Sequence, residues 1–87
     1  MNIEVIIWDL EDEPQGNVQH IAEHDITIEE VEDVLLDPNS RQATSRSSGF
    51  PMMFGHSAGG RFLAVVFEHL DDDPLTVRPV TAYDVEE

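Results

Sequence analysis

The run "RFLAVVFEHL", residues 61–70, decides the fold. Six apolar residues follow one another from Phe62 to Phe67. An uninterrupted run of this kind suits a strand buried on both faces. The segments around it supply its neighbours. Upstream, "AGG" at 58–60 marks a hairpin turn, and "FPMMFGHS" at 50–57 is a second strand. Before the "SG" turn at 48–49, "RQATSRS" at 41–47 alternates and is very polar, as an exposed strand would be. Downstream, "DDDP" at 71–74 is a turn and "LTVRPVTAY" at 75–83 a last strand. Pro79 lacks a ladder donor, so this last strand lies at an edge or carries a bulge. "DVEE" follows as a tail or a frayed turn.

The N-terminal half reads differently. "NIEVIIW" at 2–8 is a strand, and "DLEDEPQG" at 9–16 is an acidic loop. Residues 17–25 predict a short helix with Val18, Ile21 and Ala22 toward the core, and His20 and His24 on the solvent side. "TIEE" is a capping box, with Thr27 and Glu30 opening a second helix over residues 28–36. Ile28, Val31, Val34 and Leu35 form its apolar stripe, Glu29, Glu30 and Asp33 its wet face, and Pro38 stops it. The expected fold is therefore a single α+β domain over residues 1–87. It has an N-terminal strand, two short helices and a three- to four-stranded antiparallel meander sheet, with the helices packed on one face. The other face must be partly polar or covered by a partner.

Charge limits the functions such a domain can serve. Nineteen acids face four bases, and all four are arginines: Arg41, Arg46, Arg61 and Arg78. A net charge of −15 disfavours nucleic acid over the surface as a whole and suits a basic partner, a cation or a saline cytoplasm, or equally serves solubility alone. The chain has no cysteine, which excludes disulfides, thiolate metal sites and a cysteine nucleophile. No apolar run approaches the ~20 residues of a membrane span. The N-terminus lacks the basic flank and cleavage site of a signal peptide, so a cytoplasmic location is expected.

Several chemical motifs are present in letters only. "HIAEH" places His20 and His24 one helical turn apart and matches the H-x-x-E-H pattern of inverted zinc proteases. Those enzymes need a distal third ligand and a large cleft, so no metal or other cofactor is expected beyond adventitious binding by this pair. Ser57 in "GHSAGG" lies between two strands, whereas a nucleophile elbow joins a strand to a helix. Asp71, Asp72 and Asp73 are adjacent rather than alternate, unlike a calcium loop. Arg61 and Arg78 sit on consecutive strands and either project into one concavity, where guanidinium groups suit phosphate or carboxylate, or each form a salt bridge with one of the nineteen acids, which is the expected outcome.

The order of elements resembles the BrnT-type toxins, members of the RelE-like ribonuclease toxins of bacterial toxin–antitoxin pairs. The resemblance rests on "WD" after the first strand, "EHDITIEEVEDVL", "FGHSAGGRFLAVVFE" and "VRPVTAY", and its most specific part is Gly55, Ser57, Gly60 and Arg61 before the apolar strand. It implies a small α+β domain that cleaves RNA without a metal and is neutralised by a cognate antitoxin. It also implies a site built from His24, Arg61 and Arg78, with Tyr83 near the end of the last strand and Glu30 matching an acid of the second helix. The sequence departs from the family at Glu23, where a lysine is usual, and at Tyr83, where a basic residue is usual. The basic C-terminal helix that often follows is also missing. Metal-free RNA cleavage needs a base, an acid and cations for the phosphate. The resemblance therefore implies a divergent member with weak activity or none. The alternative is a non-catalytic acidic module that binds a basic protein.

Overall fold

The apolar run forms the centre of a five-stranded sheet. The structure, a computed structural model, describes residues 2–86, so Met1 and the last residue of the tail, Glu87, lie outside it. The elements in chain order are β1 (Val5–Ile6), α1 (Asn17–Ala22), α2 (Ile28–Leu36), β2 (Arg41–Thr44), β3 (Pro51–His56), β4 (Phe62–Asp72) and β5 (Leu75–Asp84). The strand order is β1-β5-β4-β3-β2. β2 to β5 form the antiparallel meander, and β1 adds to β5 in parallel, so the sheet is mixed.

Both helices pack on one face. Val31, Val34 and Leu35 of α2 and Ile21 of α1 meet Met53, Leu63, Val65, Phe67 and Val77 there, and all are buried. Burying one large apolar side chain such as Phe67 stabilises the fold by roughly 1.5–3 kcal/mol. The opposite face holds a smaller cluster of Met52, Ala64 and Val66, flanked by Phe54, Val80 and Val85. Leu63 to Phe67 are buried without a break, as the run of apolar residues requires.

Local signals act where the sequence places them. The Thr27 hydroxyl accepts from Glu30 N–H, and Glu30 Oε1 accepts from Thr27 N–H, which completes the capping box. Pro79 is not at an edge, because β5 lies between β1 and β4. It sits instead at a bulge: Phe67 pairs with Pro79 while Val66 pairs with Thr81. β1 is shorter than its apolar letters suggest, and β2 ends at Thr44.

Asn17 explains why β1 stops. This buried side chain donates Nδ2 to the carbonyls of Ile7 and Pro79, and its Oδ1 accepts from Asp9 N–H. One amide thus takes the place of a ladder partner beyond Ile7, where the proline offers no donor. Asp9 returns the contact by accepting from Asn17 N–H at 2.9 Å.

α1 ends at Ala22, earlier than the apolar periodicity predicts, and Ala22 is exposed. The chain leaves through a Schellman-type turn. Ile26 N–H bonds to the Ile21 carbonyl, Asp25 N–H bonds to that of Ala22, and Asp25 has φ 60°. A left-handed residue with a Cβ costs free energy there that glycine avoids.

Gly55 fits where no side chain would. A Cβ on it would lie 2.1 Å from Ser40 Oγ and 3.3 Å from Val34 Cγ1, and Ser40 Oγ is already held by the Val34 carbonyl. Gly55→Ala should therefore lower stability by about 1–3 kcal/mol in a denaturant titration. Asp25→Gly should leave it unchanged or raise it by up to about 0.5 kcal/mol. Reversed signs would show that the close approach and the left-handed turn are not the constraints they look to be.

Candidate functional site

Arg61 follows the β3–β4 hairpin, and the fold surrounds it with acceptors. The hairpin is closed by Ser57, whose N–H donates to the Arg61 carbonyl and whose buried hydroxyl accepts from Arg61 N–H. Ser57 is therefore a structural serine of the turn. Asp33 of α2 anchors the same turn by accepting from Ala58 N–H at 2.8 Å.

The Arg61 guanidinium grips Asp84 at the end of β5 with two bonds, Nε to Oδ1 at 2.6 Å and Nη2 to Oδ2 at 2.7 Å. Nη1 reaches Glu30 at 3.3 Å and the Asp25 carbonyl at 2.6 Å, and Nη2 reaches the His24 carbonyl at 3.4 Å. One side chain therefore ties the exit of α1, the first turn of α2 and the end of β5. A cation suits the negative end of α1 and the acidic start of α2 alike. The bond to Asp84 raises the Arg61 pKa above its already high value. The Asp84 carboxyl is held below the usual aspartate range, first by the Arg61 hydrogen bond and then by its charge, with a smaller contribution from His24 and against desolvation.

Arg78 lies elsewhere. Its Nη2 donates to Asp9 at 2.6 Å, and its Nη1 is 3.6 Å from Glu68. Arg78 pairs in register with Glu68, whereas Asp84 pairs with Leu63, five residues back along β4. At ~3.3 Å per residue that separates the two arginine sites by about 17 Å of strand. The Asp9 carboxyl is held low, first by the Asn17 backbone hydrogen bond and then by Arg78, against desolvation.

Of the residues that the resemblance implies for one site, the structure brings His24, Glu30 and Arg61 together. The His24 contact runs through its backbone, and the imidazole is exposed. Arg78 belongs to the Asp9 cluster, so no shared concavity forms, and both arginines take the salt-bridge alternative instead. Tyr83 pairs in register with Ala64 and faces the cluster opposite the helices, away from Arg61. His20 and His24 are both exposed, with ring centroids 6.0 Å apart. Among the described residues, no three histidine or carboxylate side chains gather as a metal would require. No helix among them is long and apolar enough to cross a membrane.

A second charge pattern was readable in the sequence and went unused. Residues 38–67 contain no acid and three of the four arginines, while residues 1–37 hold twelve of the nineteen acids and no arginine. The helical layer is therefore strongly acidic, and the β2–β3 half of the sheet is not.

Comparisons with protein-family models, with curated proteins and with solved structures give no significant match.

The depressed carboxyls give a pH dependence of known sign. Each contributes stability that is fully present above an aspartate's unfolded pKa of ~3.9 and is lost as pH falls through its lower folded value. The difference in melting temperature between the parent and Asp84→Asn should therefore stay constant from neutral pH to about 4.5 and shrink below ~3.9. A difference that persists unchanged in strong acid would show that the Arg61–Asp84 pair is not its source.

Proposed function

We propose that this chain is a non-catalytic, protein-binding relative of the BrnT- and RelE-type toxins, whose acidic helical layer docks a basic partner. One observation carries the reading. Both strand arginines that a phosphate site would need are already bonded to carboxylates of the same chain, Arg61 to Asp84 and Glu30, and Arg78 to Asp9 and Glu68. A phosphate arriving at either would have to displace a carboxylate at close range and leave it unpaired beside the new anion.

The outer side of α2 suits a basic surface. Glu29, Glu32, Asp33 and Asp37 surround Leu36, which is 56 % exposed, in an open cleft of about 360 Å³. A lysine or arginine stem can cover such a leucine while its head meets the carboxylates. A cognate antitoxin or another basic protein fits this description. RNA fits it poorly, because the same surface repels phosphate.

The ribonuclease reading draws on one contact, that of Arg61 with the His24 backbone beside an exposed imidazole. Incubating the protein with RNA at low salt and at about 0.5 M salt separates the two, since screening at high salt weakens acidic repulsion. No cleavage is expected at either salt, with no difference in His24→Ala. Robust cleavage that disappears in His24→Ala would overturn the proposal. The binding reading further expects a basic protein encoded beside this one to bind with an affinity that falls steeply with salt. It also expects Glu29→Lys with Asp33→Lys to weaken that binding by at least about tenfold.

A further inference from the structure

The sheet face opposite the helices carries a second feature that the acidic layer does not explain. No helix packs on it, and its centre is the Met52, Ala64 and Val66 cluster. Aromatic rings stand around that centre. Phe54 and Phe62 stack at 6.4 Å between centroids, and His56 lies 4.8 Å from Phe62. Phe50 is 36 % exposed and Tyr83 is 39 % exposed.

Two arginines border this surface. Arg41 pairs in register with Phe54 and so shares its face. Together with Asn39, Gly55, His56 and Phe62, they line a groove of about 450 Å³. Arg46 stands in the β2–β3 turn between Ser45 and Ser47, which line a smaller groove together with Phe50 and Tyr83. Among the described residues, neither arginine side chain makes an ion pair or a hydrogen bond. Among the described residues no carboxylate pairs with either arginine, and residues 38–67 contain no acid.

We propose that this face docks an acidic segment of a partner protein that carries aromatic or aliphatic side chains. The apolar anchors would cover the partly exposed rings of Phe54 and Phe62, and carboxylates at the two ends would meet Arg41 and Arg46. Arg46 lies five positions after Arg41, which sets their backbones at most about 17 Å apart at ~3.3 Å per residue. A protein segment can place charge at those two points and keep its middle neutral. A nucleic-acid strand cannot, because it carries a phosphate about every 3.4 Å and would bring several more anions against a chain of net charge −15.

The test is a titration of the isotopically labelled full chain with a short peptide alternating glutamate with tryptophan, followed by amide chemical shifts. Saturable shifts confined to β2, β3, the turn between them, the first half of β4 and the end of β5 are expected. Arg41→Glu combined with Arg46→Glu should weaken binding by at least about tenfold, as charge reversal at a paired contact does. Both side chains are exposed, so the variant should keep the parent's melting temperature. A lysine–tryptophan peptide should instead shift α2, which keeps this surface distinct from the acidic layer. Four results would each overturn the proposal: shifts that do not saturate, equal affinity in the double variant, tighter binding of oligouridylate to the same face, and concentration-dependent self-association that the double variant abolishes.

Discussion

The scarcity of cations governs this structure. Four arginines serve nineteen acids, and the fold places one of them, Arg61, where three elements converge. Without it, the Asp84 and Glu30 carboxylates would share a corner with the His24 and Asp25 carbonyls and lose the guanidinium that lies between them. A lysine would not replace it. An ammonium offers a point charge, whereas the guanidinium uses its fork to hold Asp84 at two points and still reach Glu30 and both carbonyls. The same fit that makes Arg61 a good clamp makes it a poor phosphate ligand, because its donors are already directed at partners within the chain. Arg78 repeats the arrangement between Asp9 and Glu68.

What the sequence made legible was local. The Thr27–Glu30 box, the glycine turns at 49 and 60, and the run from Phe62 to Phe67 each act within a few residues, and each appears where its letters stand. The features it hid depend on distant partners. Asn17 reads a carbonyl 62 residues away, and nothing in "GNVQ" announces that. That contact ends β1 beyond Ile7 and satisfies the Pro79 carbonyl, while the parallel pairing itself runs through the backbones of β1 and β5. The two strand arginines look like neighbours in a meander. Register decides otherwise, because β4 runs for eleven residues and sets its two ends far apart. α1 fell short because Asp25 turns the chain left-handed, which a helical wheel does not represent.

The net charge of −15 is a poor guide to what a partner meets. The domain measures about 32 × 31 × 26 Å. At physiological ionic strength an exposed charge is screened over about 8 Å, well under the thickness of this body. A partner on the helical side therefore responds mainly to Glu29, Glu32, Asp33 and Asp37. A partner on the open sheet face responds mainly to Arg41, Arg46 and the rings between them. The total governs encounter at low salt, where the whole molecule acts as an anion, and the local pattern governs docking. Raising the salt should therefore alter the two surfaces in different ways. It weakens attraction at the helical layer, where total and local charge share a sign. At the sheet face it removes a general repulsion together with a local attraction, and the apolar contacts between them are left almost untouched.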